Sequence, residues 1–421
     1  MSTSVSTPGS QLERRERFRA YMKAFNPTAP AREVIEAGLV FGGLHSSLFR
    51  NLAARADLEP GSQQLLVGGI GSGKTTELIL AERWLTDRGH IWPLYIDISA
   101  ETDLSRLSSG SLLAGFGLHL ARRVLGGGPP PGLEPDRISE LQKAYHQVKQ
   151  YAYGKTVYVR GPEPEPPDDE YEEEGYFQSI PGKLKPAFPA LMRHVQEIGG
   201  PLEQFMTAAR EMNTEIVVVF DGLDRLLDPT RFWSVAQQDL RLLRQLKVSV
   251  ISTAPISVLF GRAGIGQAVS DHFDKVHHLP AIATDPEQGP LQVVLATRRG
   301  YDMLGDSEAE LICQYSGGVL RDLISLARDA AEEAYVSDRD VITEFEITKV
   351  VHQLGTAYLR GLGPEQIKTL LGLEKTKSFE VSQPVDLELL VTRRVLEYSP
   401  TDFRVHPALL AVIPRPEPKR A

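Results

Sequence analysis

The chain has 421 residues, 42% of them hydrophobic, which is enough for two to three folded units with a real core and excludes a mainly disordered polymer. Its 46 Lys plus Arg against 55 Asp plus Glu give a formal net charge of -9, which disfavours a whole-protein nucleic-acid or membrane-surface binder while leaving room for a local basic patch. A lone cysteine, Cys313, a polar stretch at residues 1–10 and the lack of any run of about 18 apolar residues lead to the expectation of a cytoplasmic protein with no disulfide, structural zinc or membrane span. Residues 1–34 read as an arm with one short helix. The apolar run 63–67 reads as a strand leading into glycines, and residues 74–88 follow with helical spacing of Leu78, Ala81, Trp84 and Leu85. Residues 91–98 read as a second strand and 104–124 as a second helix. The β-branched runs 216–220 and 248–253 have the composition of strands buried on both faces of a parallel sheet.

Between the second helix and the third strand lies an insertion, 126–189, opened by Gly126-Gly127-Gly128-Pro129-Pro130-Pro131. Its stretch 161–175 holds eight acidic residues and four prolines with almost no aliphatic side chains, so burial cannot offset the entropy of ordering it. The flanks 136–151 and 187–212 have helical periodicity. Beyond 282 helices dominate, at 291–299, 307–315, 319–336 and 343–359. Two shorter helices, 364–371 and 387–393, precede strands 395–398 and 403–406, a winged-helix-like pattern. The expected organisation is therefore an N-terminal arm (1–34), an α/β domain (35–282), a helical lid (283–360) and a C-terminal module (361–421).

The segment Gly68-Gly69-Ile70-Gly71-Ser72-Gly73-Lys74-Thr75 has a glycine, four residues, then Gly-Lys-Thr, placed between a predicted buried strand and a predicted helix. That is the setting in which successive backbone N–H groups and a helix N-terminus converge on phosphate oxygens. Lys74 is expected to reach the β- and γ-phosphates and Thr75 to place its hydroxyl on Mg²⁺, with Thr76 following in the phosphate-binding turn. A phosphate cradle becomes an ATPase only with a carboxylate for the metal and a group that orients water. Asp221, directly after the third strand, is the candidate for the metal, and Asp224 for the water; Asp97 and Glu101 are alternative bases. The Asp221-Gly222-Leu223-Asp224-Arg225 stretch also has the composition of a turn that caps the next helix.

Together, GGIGSGKT, IVVVFDGLDR, VSVISTAP and YSGGVLRDLISLARDA resemble the Walker A, Walker B, sensor 1 and sensor 2 segments of AAA+ and STAND P-loop ATPases. The DGLDR form is similar to the NACHT and KAP types, and the order of motifs to origin-recognition ATPases. The resemblance implies a P-loop sheet of order 5-1-4-3-2 with 275–279 as its fifth strand, ATP and Mg²⁺ as ligands, Ser252 or Thr253 as sensor 1, and Arg321 as a sensor 2 that reaches the γ-phosphate. Arg321 also reads as a surface cation paired with an acid. Val40 or Phe41 reads equally as an adenine contact or a core turn, and Arg262 is a weak candidate for an arginine finger.

Gly222 stands where AAA+ proteins carry a Glu, and Arg225 where STAND proteins often carry an acid. A slow or partner-stimulated ATP-dependent switch is expected, with protein partners or self-association ahead of nucleic acid. Two further readings stay open: a DNA-binding module using Arg393, Arg394 and Arg404, and a nucleotide-stabilised scaffold without turnover.

Overall fold

The computed structural model describes residues 8–40, 47–126, 134–154, 194–226, 228–260, 269, 272–284, 289–298 and 303–414. The acidic stretch 161–175, Phe41 and Arg262 lie outside them. The chain divides into two compact units, one of residues 49–67 and 80–277, the other of residues 1–48, 68–79 and 278–421.

The first unit carries the sheet. β1 (Gln63–Gly68), β2 (Ile91–Asp97), β3 (Glu215–Asp221), β4 (Ser249–Ala254) and β5 (Lys275–Leu279) stand in the order β2-β3-β4-β1-β5, the expected 5-1-4-3-2. β1 and β4 are buried at every position and β3 at every position but Glu215, as continuous apolar runs require when helices cover both faces. β1 pairs parallel with β4, β4 with β3, and β3 with β2. Their C-terminal ends therefore share one edge, where Asp97 lies in register with Asp221.

The helix predicted from residue 104 begins instead at Ser111 and runs to Leu125. The reason is Asp239, fully buried on the helix Pro229–Gln245, whose carboxylate accepts from the backbone N–H of Gly110 at 2.6 Å and of Leu112 at 2.9 Å. It thus supplies the N-cap from another element. Asp239→Ala leaves those two donors unpaired in a closed interior, and we expect a loss of about 2–3 kcal/mol in urea unfolding of this unit. The flanks of the insertion form the helices Pro135–Tyr153 and Gln196–Glu211, which bring Val148, Ile198 and Leu202 against Gly117 of the Ser111–Leu125 helix.

The second unit is mainly helical. The expected arm with one short helix is in fact the 17-residue helix Pro8–Ala24 followed by the helix Ala31–Glu36. Phe18, Tyr21 and Phe25 are buried in the same core as Leu323, Leu326, Ala330 and Val350. Arg14 donates to the carbonyls of Tyr335 at 3.2 Å, in the last turn of the long helix Leu320–Val336, and of Arg339 at 2.8 Å, just beyond its end. That core is completed by the helices Pro290–Arg298, Asp306–Tyr315 and Glu344–Leu359.

The C-terminal part consists of the helices Pro364–Thr376 and Pro384–Val391, the antiparallel hairpin of β6 (Val395–Ser399) and β7 (Asp402–Val405), and the turn of helix Pro407–Leu410. This is the helix–helix–hairpin order of a winged-helix-like module. It packs on the rest of the unit so closely that a side-chain carbon at Gly355 would lie 2.1 Å from the Ala408 carbonyl. Among the described residues no helix is long and apolar enough to cross a membrane.

Candidate functional site

The glycine segment leaves β1 at Gly68 and opens the helix Lys74–Thr86. A turn closes from the Ser72 N–H to the Gly69 carbonyl at 3.2 Å, and the Glu77 N–H to Gly73 carbonyl bond, at 3.1 Å, forms the first helical turn. Lys74 is 4% exposed, and its Nζ donates to the carbonyls of Gly68 at 2.9 Å and Gly69 at 2.8 Å, so the ammonium is held over the loop that carries it. Thr75 and Thr76 are half-buried in the same turn, and Ser72 is buried. The helix offers its first amides to whatever lies before it.

Gly71 has φ +85°, and a Cβ there would fall 2.8 Å from Arg321 Cβ and 3.3 Å from Val319 Cγ1. Any larger residue would push Arg321 away. The backbone N–H of Arg321 points to the Gly71 carbonyl at 3.4 Å, and its side chain is exposed. The candidate residues 68–76 and Arg321 therefore meet within one unit.

The carboxylate candidates meet within the other. Asp221 ends β3 and is 4% exposed; its Oδ2 accepts from the Tyr95 hydroxyl at 2.7 Å and its Oδ1 from the Gly222 N–H at 2.7 Å. Asp97 Oδ1 accepts from the N–H and hydroxyl of Ser99 at 3.0 and 2.6 Å, and Arg225 NH1 donates to that hydroxyl at 2.8 Å. Arg225 is a strut between two edge turns.

Gly222 has φ +83°, and a Cβ on it would stand 2.6 Å from Asp97 Oδ1 and 2.9 Å from the Ser99 side chain. A side chain at this position has no room, because the neighbouring strand's carboxylate already fills the space. Asp224 is half-buried in the 3-10 turn Leu223–Arg225. It does not cap the following helix, since Asp228 does so by accepting from the Thr230 N–H at 2.9 Å. Thr253 is fully buried and its Oγ1 accepts from the Leu223 N–H at 3.1 Å, tying the end of β4 to the turn that bears Asp224; the buried Ser252 hydroxyl donates to the Thr253 carbonyl at 3.1 Å.

Two groups escaped the sequence. Tyr95 sits two residues before Asp97, on the same face of β2, a spacing that could have placed it beside Asp221 once the register was known. The second group surrounds Asp322, next to Arg321 and 4% exposed. Its Oδ1 accepts from Arg393 NH1 at 2.9 Å, and its Oδ2 accepts from the Tyr358 hydroxyl at 2.6 Å and lies 3.2 Å from His406 Nε2.

Of the arginines Arg393, Arg394 and Arg404, the first pairs with Asp322. Arg394 donates to the carbonyls of Tyr358 and Arg360, and Arg404 forms a two-bonded pair with Asp402.

No family model and no curated protein matches the chain. Among solved structures it is similar to the ORC2 protein of Aeropyrum pernix in ADPNP–ADP complexes, at 15% identity and TM-score 0.45 over 87% of this chain and 89% of that one. It is similar to Drosophila ORC bound to DNA at 13% identity and TM-score 0.44, over 92% and 82%. A third is the Holliday junction branch migration motor RuvB of Thermotoga maritima, at 13% identity and TM-score 0.36, over 85% and 91%. These likenesses are low, and the α/β fold rests on the strand order described above.

Proposed function

We propose that the chain is a Mg²⁺-dependent ATPase of AAA+ type that works as a nucleotide-operated switch. The observation that carries this reading is the glycine loop at the end of a fully buried β1, opening a helix with Lys74, while the parallel β3 ends in the buried Asp221 at the same sheet edge. In this reading the amides of residues 71–75 and Lys74 bind the phosphates of ATP. Thr75 and Asp221 are hard oxygen donors of the kind Mg²⁺ takes, the carboxylate acting through the metal's water shell. A metal held by these residues would supply neutralisation of the charge on the phosphates.

Asp224 orients the attacking water, with Thr253 holding its turn, and Arg321 touches the terminal phosphate from the long helix. With Gly222 fixed by its surroundings, turnover is slow or awaits a partner. The DGLDR sequence favours a STAND-like member of the class, and partners include other proteins or further copies of the chain.

The test is titration with labelled ATP with and without Mg²⁺, beside a phosphate-release assay. Lys74→Ala is expected to weaken ATP binding by on the order of 10² and to abolish release. Hydrolysis that survives this change, or a wild-type protein that binds no nucleotide, overturns the reading.

A second reading is favoured by the helix–helix–hairpin order of the C-terminal module, a shape that docks on DNA. The acidic total charge does not remove nucleic acid as a partner, because charge is a property of the whole chain and docking is local. Duplex binding that weakens steeply with salt supports this reading; duplex binding absent at low salt, with and without ATP, removes it.

A further inference from the structure

Arg393 leaves the helix Pro384–Val391 through a left-handed turn, φ +63°, and points back into the body of its unit. Its guanidinium is paired with Asp322 at 2.9 Å and lies 5.6 Å from the centre of the Tyr358 ring. It also reaches the glycine loop: a Cβ built on Gly71 would stand 3.6 Å from Arg393 NH1. Arg321 touches the same glycine, with its Cβ 2.8 Å from that position. Two arginines, one from the long helix and one from the hairpin module, therefore converge on one residue of the phosphate-binding segment, all within a single compact unit. Among the described residues Arg393 Nε and NH2 donate to no partner, so only part of the five-donor guanidinium is spent on Asp322.

We propose that Arg393 is a second phosphate-binding arginine, brought to the nucleoside triphosphate by the C-terminal module and held there by Asp322. The proposal rests on the reading of residues 68–76 as a phosphate loop. A planar guanidinium can keep one N–H on a carboxylate while its other donors bind a phosphate oxygen. Asp322 suits the holding role, because Tyr358 and His406 also bond to it and keep the carboxylate satisfied while Arg393 leans towards the ligand. Asp322 is thus a positioning residue. The arrangement gives the hairpin module a direct stake in the nucleotide: a terminal phosphate draws the module onto the loop, and its loss releases one of the module's attachments.

A plainer role for Arg393 is to neutralise the buried Asp322 and nothing more. The experiment that separates the two uses the full chain and compares wild type, Arg393→Gln and the double change Arg393→Gln with Asp322→Asn, which removes both buried charges together. Affinities for Mg-ATP and Mg-ADP are read by titration with fluorescent analogues, and folding by thermal melting.

We expect Arg393→Gln to weaken ATP by about 10- to 100-fold, as for loss of one charge-assisted hydrogen bond to an anion, with a smaller effect on ADP. The double variant is expected to melt closer to wild type yet keep the ATP defect. Recovery of wild-type ATP affinity in the double variant overturns the proposal and leaves Arg393 as a counter-ion. Unchanged ATP affinity in Arg393→Gln overturns it as well. A wild type that binds no nucleotide brings down the phosphate-loop reading, and the proposal with it; a wild type that binds while Lys74→Ala does not upholds that reading whatever Arg393 does.

Discussion

Asp221→Asn is expected to lower Mg²⁺-dependent ATP hydrolysis by about 10³-fold while leaving the fold intact. The asparagine keeps one oxygen to accept from the Gly222 N–H, and its amide NH2 can donate to the Tyr95 hydroxyl in place of the bond that hydroxyl now gives Asp221, so the edge keeps its shape and loses its charge. Nucleotide affinity measured against Mg²⁺ concentration should shift to higher metal for the variant, and phosphate release should fall with it. Release within twofold of wild type would remove Asp221 from the metal. The same geometry says that activity cannot be raised by placing a Glu directly after Asp221. Gly222→Glu must place a Cβ 2.6 Å from Asp97 Oδ1 at φ +83°, where L side chains are strained, and is expected to cost folding instead of adding turnover. Because Tyr95→Phe removes a donor from Asp221 Oδ2 and no charge, its effect should be confined to the metal requirement.

The central strands were legible because they are buried on both faces. Residues 216–220 are β-branched up to Phe220, and 248–253 join Val, Ile and Thr with two small serines, and such runs have few homes outside a covered parallel sheet. The helices beyond residue 290 were legible from their apolar spacing, and the structure adds the Thr343/Glu346 capping box that fixes the start of the helix Glu344–Leu359. The length of the N-terminal helix was not legible. Within it only Phe18 and Tyr21 are buried aromatics, with Phe25 just past its end, and the core that buries them comes from far along the chain, as the Arg14 to Arg339 bond, 325 positions apart, records. The start of the 111–125 helix was hidden for a similar reason, because its cap comes from Asp239 on another helix.

At the candidate site, the sequence offers Gly68 and Lys74 by their spacing and Asp221 by its place after a buried strand, but not the residues that support them. Nothing local marks Tyr95 as a donor to Asp221, or Arg225 as a strut to Ser99, since those roles appear only when β2 and β3 are laid in register. Arg393 shows the difference most clearly. Read along the chain it belongs with Arg394 as a basic pair, but adjacent residues leave a chain bend in different directions: Arg393 turns to Asp322 and Gly71, and Arg394 to the carbonyls that end the Glu344–Leu359 helix.

Replacing Asp322 with Ala is expected to produce the largest loss of stability in the helical unit, about 3–5 kcal/mol, because it leaves the Arg393 guanidinium without its counter-ion and the Tyr358 hydroxyl and His406 without their acceptor in a closed interior. Asp322→Asn should cost less, since an amide oxygen still serves one of the three. Wild type also separates from both variants in acid. Burial alone would raise the Asp322 carboxyl, but the His406 hydrogen bond, the charges of Arg393 and His406 and the Tyr358 hydroxyl together hold it below the ordinary carboxylate range.

A carboxyl whose pKa is lower folded than unfolded binds fewer protons in the folded state, so its contribution is complete above the unfolded value, about 3.9, and is lost as pH falls through the lower folded one. Wild type should therefore lose its advantage over Asp322→Asn as pH drops below about 4, with the gap constant from there up to neutrality. Thermal melts of both proteins across that window decide the point: parallel curves at every pH would mean that the carboxylate's charge is not what fastens the hairpin module to the long helix.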